Sequence, residues 1–343
     1  MAHPDGQMPI DMQLGGGDHV EIAELARQAE AAGVARLWAP ELYRSATVPL
    51  AIAAQVTERV ELATGIALAF TRSPFTMALE ALDLDQMSGG RFVLGLGAGV
   101  RRLNERWHSA PYDPPVARMR EMVAAIRALV RAMARGEDAR SPGRHVDIDV
   151  VGYRRTHPAP RDAVPVVLAA VLPGMARLAG EVADGLLDHP VTTPAYLRQA
   201  ILPGLDAGAE RAGRPRPPVT AALITAVDDD DPGGARRAAA LTVGFYATVK
   251  TYEPLFALHG FDGRLGQIRR AFLGADPGAL ADAVGEEMVD AFAAAGSSRD
   301  VAARVADYRD LARSVWLTPP HHLQGPSEIA RWQQGILRVA SAR

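Results

Sequence analysis

Three ionisable side chains stand near the ends of apolar runs and are the candidates for acid–base chemistry: Glu41, His108 and His189. A carboxylate or imidazole moves a proton only from hydrogen-bonding distance of the reacting atom. In parallel α/β folds such groups gather at the carboxyl ends of strands. Glu41 follows the run at 34–39, and His189 follows the run at 184–188. His108 lies in RRLNERWHSAPYDPP, residues 101–115, a polar and Pro-broken stretch that reads as a loop of functional length. Trp107 and Tyr112 in that loop could flank a conjugated substrate or anchor the loop by packing. For each candidate acid or base, a structural or solvent-facing role is the alternative.

Glycines form the second group. TGI at 64–66 puts Gly65 inside an apolar run, which marks a bulge or a close backbone approach. LGLGAGV at 94–100 puts Gly95, Gly97 and Gly99 where the next run ends. Tight packing accounts for any one of them, whereas a cluster at two neighbouring strand ends favours a ligand. The dinucleotide fingerprint would need glycine at position 100, which is Val100. A third site is AAVLPGM at 169–175, leading from an apolar run into a helix. The free N–H groups of a helix start favour an anion, and Gly174 would let a phosphate approach the backbone beside Ala170 and Met175. The alternative is merely a tight βα loop.

Other chemistries are disfavoured. The chain has no cysteine, hence no disulfide, thiol nucleophile or Cys-ligated metal, and Lys250 is its one lysine and single Schiff-base candidate. Walker, nucleophile-elbow, HExxH and EF-hand motifs are absent. No metal ligands are assigned. His321-His322 follows Pro319-Pro320 without a carboxylate nearby, and it reads as a solvated loop.

The elements that must position these residues alternate between strand and helix. The runs at 60–70 and 91–98 bracket a helical segment at 73–87, with Ser73 as cap, Pro74 in the first turn and Gly89-Gly90 as stop. On it, Phe75, Leu79, Leu82 and Met87 share the apolar face, with Glu80, Asp83 and Asp85 mostly away from it. Short connections make this a parallel strand–helix–strand unit. Further strands are expected at 9–14, 34–39, 164–170, 184–188, 218–227 and 314–317. Helices are expected at 18–33, with an Asp18/Glu21 capping box, and at 48–57, 117–133, 172–181, 193–213, 298–311 and 327–342. A surface hairpin is expected around 145–151. Residues 235–258 and 261–295 read as largely helical, more than one crossover needs, and are taken as an insertion over the barrel mouth at 235–295.

With 343 residues, 48% hydrophobic and 22% charged, the composition is that of a globular protein, and one barrel with insertions fits the length. A net charge of −3 argues against nucleic acid as a main partner. The chain shows no long apolar run and no secretory leader, so a cytoplasmic protein that does not engage the membrane is expected. Its partner would be a small-molecule substrate, and a homodimer is open to it.

TGIALAFTRSP, SGGRFVLGLGAGV and AGEVADGLLDHP, with GFYATVKTYEPLFALHG and DAFAAAGSSRDVAARV, resemble the luciferase-like flavin- and deazaflavin-dependent oxidoreductases. The resemblance is nearest the bacterial branch that uses coenzyme F420, and it spans about residues 21–315. It implies a single (β/α)8 TIM barrel over 1–343 and hydride transfer between coenzyme F420 and an organic substrate. FMN with monooxygenase chemistry, or a non-catalytic flavin-binding barrel, are the alternatives. By resemblance the ring lies against a non-proline cis peptide at Gly65–Ile66, near Gly95 to Gly99, with its phosphate near Gly174. Some deazaflavin-dependent members carry a His where this chain has Glu41, so their proton-transfer scheme does not carry over at that position.

Overall fold

A computed structural model describes residues 7–42 and 44–342. Eight parallel strands form the barrel: β1 (Ile10–Gln13), β2 (Arg36–Ala39), β3 (Glu61–Thr64), β4 (Phe92–Gly97), β5 (Val166–Ala169), β6 (Gly185–Leu187), β7 (Val219–Val227) and β8 (Ser314–Thr318). Each pairs with the next, and β8 pairs back onto β1 with Ile10 opposite Val315, so the sheet closes as a (β/α)8 barrel. Closure leaves no barrel edge unpaired.

Alternation along the strands divides the core in two. Trp38, Ala63, Val93, Val167, Leu187, Ala222 and Trp316 fill the interior. Their neighbours on the other face join the helices in a larger outer core. The interior rings are fixed in place: Trp38 Nε1 donates to Asp11 Oδ2 at 2.9 Å, and the Trp38 and Trp316 rings lie 5.6 Å apart.

Helix ends follow from local chemistry. Asp18 accepts from Val20 and Glu21 backbone N–H groups at 2.8 and 3.0 Å, while Glu21 takes the Asp18 N–H, completing the capping box. Ser73 caps helix Pro74–Met87 through the Thr76 N–H at 3.1 Å. That helix is rotated from the predicted face, however. It buries Met77, Ala78, Ala81, Leu82, Leu84 and Asp85 and leaves Met87 exposed. Arg161 makes this possible, gripping the Asp85 carboxylate at 2.7–3.2 Å and the Phe92 carbonyl at 2.7 Å. A buried carboxylate paired in this way escapes the cost that periodicity alone assigns it.

Two other expectations are corrected. The stretch 101–115 is not all loop: Arg101–Trp107 is helical, with the Asn104 amide donating to the Ala98 and Val100 carbonyls at 2.8 and 3.1 Å. Residues 261–295 are helical only to Phe292, because Ala293–Gly296 forms an extra parallel strand on β7. The nine-residue β7 outruns its neighbours, and this strand of small residues satisfies its last backbone groups. The expected surface hairpin is present as the antiparallel pair Ala139–Ser141 and Ile148–Val150.

Candidate active site

The carboxyl end of β3 determines the shape of the site. Pairing with β4 runs through Ala63 opposite Val93, breaks, and resumes with Ala67 opposite Leu96, so β3 carries one extra residue. Thr64 repairs the gap with its side chain. Its hydroxyl donates to the Gly95 carbonyl at 2.7 Å and accepts the Gly95 N–H at 2.9 Å. The Gly65–Ile66 peptide that follows is cis, as the resemblance implies. Gly65 donates to the Ala39 carbonyl at 2.7 Å, and Glu41 N–H donates to the Ile66 carbonyl at 3.3 Å, so the end of β2 holds the bulge from one side.

Above the bulge lies a cavity of about 530 Å³. Gly65, Ile66, Ala169 and Trp316 line its base, with Leu14, Pro40 and Pro190 among its apolar walls. The polar lining includes Gln13, Arg44, Asp188, His189, Thr318 and His321. A mostly apolar pocket with a few convergent polar groups is the usual form of a small-molecule site.

His189 is packed between Tyr246 and Tyr252, whose ring centroids lie 4.7 and 4.4 Å away. Burial pushes its pKa down to about 3, so the ring is neutral at ordinary pH. The Val191 N–H approaches Nδ1 at 3.4 Å, which sets Nδ1 as the acceptor and leaves the proton on Nε2. Burial also pushes the Tyr252 phenol up to about 12. Asp188 is buried beside His189. One oxygen accepts the Ala222 N–H at 2.5 Å, continuing the β6–β7 ladder beyond Leu187, and the other has no hydrogen-bond partner. Burial holds this carboxyl well above the usual range.

The predicted residues divide. Gly65, Ile66 and His189 meet at the cavity. Glu41 stands just behind the bulge, with its carboxylate engaged by the Leu68 N–H at 2.8 Å and by Arg72. His108 is exposed at the end of helix Arg101–Trp107 and lies off the cavity lining. Gly95, Gly97 and Gly99 are likewise off the lining; Gly95 and Gly97 are buried among close neighbours, whereas Gly99 is exposed just past the end of β4. A Cβ at Gly95 would lie 1.9 Å from the Thr64 carbonyl oxygen, and one at Gly97 2.7 Å from Ile66 Cδ1. Ala170 is buried, while Gly174 is exposed in the first turn of helix Pro173–Val182, beside half-buried Met175.

His321-His322 is not a solvated loop. His321 lines the cavity, and His322 is buried against Phe245 with ring centroids 3.4 Å apart. Burial lowers the His322 pKa to about 2. Among the described residues no group of three or more His, Asp or Glu is arranged to hold a metal. Tyr246, Tyr252 and His321 were missed as site residues. The position of His321 just after the last strand was the available signal, whereas the two tyrosines arrive on a segment whose docking no local pattern specifies.

A closed parallel barrel with a ligand-sized cavity at its carboxyl end, over a bulged third strand, defines a (β/α)8 barrel with a candidate small-molecule site. The chain belongs to the luciferase-like monooxygenase family, whose sequence pattern matches residues 7–314. It is 33% identical over 284 residues to an uncharacterized protein of Mycobacterium tuberculosis, covering 80% of this chain and 84% of the relative. It is 30% identical over 300 residues to 5,10-methylenetetrahydromethanopterin reductase of Methanolobus tindarius, covering 85% and 87%. The fold is similar to the coenzyme F420 dependent tetrahydromethanopterin reductase of Methanopyrus kandleri, with TM-score 0.79, 23% identity and 96% and 97% coverage. It is also similar to a type II Baeyer-Villiger monooxygenase of Pseudomonas putida in complex with FMN, with TM-score 0.66, 17% identity and 98% and 97% coverage. No helix among the described residues is long and apolar enough to cross a membrane.

Proposed function

We propose that the protein is an oxidoreductase that transfers a hydride between a deazaflavin of the coenzyme F420 type and a small organic substrate. The observation that carries this reading is the pairing of the Gly65–Ile66 bulge with the neutral His189 imidazole at one cavity. The cavity suits a planar heteroaromatic ring. Its base is apolar, and buried polar atoms at or beside it, Trp316 Nε1 and Asp188 Oδ2, have no partner within the protein. The F420 dependent reductase of similar fold supports a deazaflavin, and the FMN complex of similar fold makes FMN the second reading.

The bound deazaflavin would supply the hydride chemistry, and the chain would supply binding, orientation and exclusion of water. Ile66 and Gly65 would support the ring from below. The exposed start of helix Pro173–Val182, at Gly174 with Met175 and Ala170, would receive the cofactor's phosphate. His189 would present its Nε2 proton to a substrate or cofactor oxygen. With a pKa of about 3 it acts as a neutral hydrogen-bond donor rather than as an imidazolium. The helices between Pro232 and Phe292 would form a lid within one barrel domain, since Tyr246 and Tyr252 from this segment close over His189.

The test is to mix the purified protein with reduced F420 and with reduced FMN, each with and without oxygen, and to follow cofactor oxidation across carbonyl and alkene substrates. Turnover of the deazaflavin without oxygen supports the reading. Strictly oxygen-dependent turnover of FMN, with no binding of the deazaflavin, overturns it in favour of a monooxygenase.

A further inference from the structure

Glu41 occupies the strand-end position where an acid–base residue is expected, yet its contacts point elsewhere. Its side chain is 14% exposed, and both carboxylate oxygens are engaged. Oε2 accepts the Leu68 N–H at 2.8 Å, and Oε1 is paired with Arg72. Arg72 reaches on to Glu80 at 3.1 Å, so the pair is anchored in helix Pro74–Met87. The Glu41 backbone N–H meanwhile donates to Ile66. A single residue therefore holds the bulge at two points, the Ile66 carbonyl and the Leu68 amide, on either side of Ala67.

We propose that Glu41 is a positioning residue: clamped by Arg72, it holds residues 66–68 in place and so sets the height of Ile66 in the cavity base. A general base needs a lone pair facing the reacting proton. The oxygens of Glu41 are spent on an amide and a guanidinium, and Glu41 is not among the residues lining the cavity. The geometry also explains why an ionised carboxylate is tolerated in a half-buried position, since Arg72 balances its charge and the amide supplies a charge-assisted hydrogen bond. The consequence for a bound ring rests on the function proposed above, but the clamp itself does not.

The experiment compares wild type, Glu41→Gln and Glu41→Ala as full-length proteins without added cofactor. Gln keeps an oxygen to accept the Leu68 N–H, whereas Ala removes it. Hydrogen exchange is followed in the peptide covering residues 64–70, with residues 314–318 as an internal control. In Glu41→Ala the Leu68 amide should exchange about tenfold faster while the control is unchanged. In Glu41→Gln it should stay within about threefold of wild type. Titration with F420 and with FMN, read from the visible absorbance band, should show binding to the Ala variant weakened about tenfold and restored by Gln. Unchanged exchange in Glu41→Ala overturns the proposal. So does loss of turnover in Glu41→Gln as complete as in Glu41→Ala with exchange undisturbed, which would return Glu41 to proton transfer. If the exchange pattern holds and neither cofactor binds wild type, the clamp stands and the hydride-transfer reading fails.

Discussion

Gly95→Ala and Gly97→Ala add the same methyl group two residues apart on β4, and the structure predicts opposite kinds of damage. At Gly95 the new Cβ would sit 1.9 Å from the Thr64 carbonyl oxygen and 3.1 Å from Trp38 Cζ3. A backbone atom cannot rotate away, so β3 and β4 must separate. Both hydrogen bonds between Thr64 and Gly95 are lost with that movement. Each is worth about 1 kcal/mol, and overpacking adds about 1–3 kcal/mol. The expected loss is about 3–5 kcal/mol, a large share of the ~5–15 kcal/mol that holds a typical domain together. For a chain of this size that lowers the melting temperature by about 5 °C. At Gly97 the clash is with the end of the Ile66 side chain, at 2.7 Å from Cδ1 and 2.8 Å from Cγ1. That side chain can turn, at about 1 kcal/mol for an off-rotamer position. The damage then falls on the cavity base, and cofactor binding should weaken about tenfold, or ~1.4 kcal/mol. Denaturant melts and cofactor titration of the two variants separate these outcomes. A Gly95→Ala protein as stable as wild type, or a Gly97→Ala protein that binds as tightly, would refute the reasoning.

Three further outcomes are expected. Asp188→Asn should raise stability at neutral pH: the folded carboxyl's pKa is raised, so stability is lost as pH rises above the unfolded value near 4, and the amide lacks that penalty while still accepting from Ala222. Melts at pH 4 and pH 8 check this, with the difference between variant and wild type vanishing at the lower pH. His322, with its pKa lowered to about 2, should act in the opposite sense, costing stability as pH falls below the unfolded value near 6.5 at no more than about 1.4 kcal/mol per pH unit; His322→Phe should flatten that part of the stability profile between pH 6.5 and 4. Gly174→Asp, which puts a carboxylate at the exposed helix start, should weaken cofactor binding at least about tenfold without loss of folding; equal binding would move the phosphate site elsewhere.

All eight barrel strands were legible in the sequence because each is an apolar run bounded by turn residues, and the runs come in barrel order. The Asp18 and Ser73 caps were legible because capping is a contact between residues three apart. What escaped depends on partners distant in the chain. The buried face of helix Pro74–Met87 is set by Arg161, more than seventy residues away, which turns Asp85 from a surface charge into a core anchor. The strand at Ala293–Gly296 exists only because β7 is long enough to need it. At the site, the bulge was visible as a glycine in an apolar run, and His189 as a histidine at a strand end. The close packing of Thr64 and Ile66 against the Cβ positions of Gly95 and Gly97 is not legible, because it is set by the neighbouring strand and not by LGLGAGV itself. The burial of His322 depends on Phe245, brought in by the helical segment between β7 and β8.

The indole pair at the barrel centre gives the protein an optical readout of its own occupancy. Of the four tryptophans, Trp38 and Trp316 have ring centroids 5.6 Å apart beneath the bulge, and Trp316 forms part of the cavity base. A conjugated molecule seated there would lie within energy-transfer range of both rings, so its arrival should dim their ultraviolet emission. Binding could then be followed in unlabelled protein before any substrate is known.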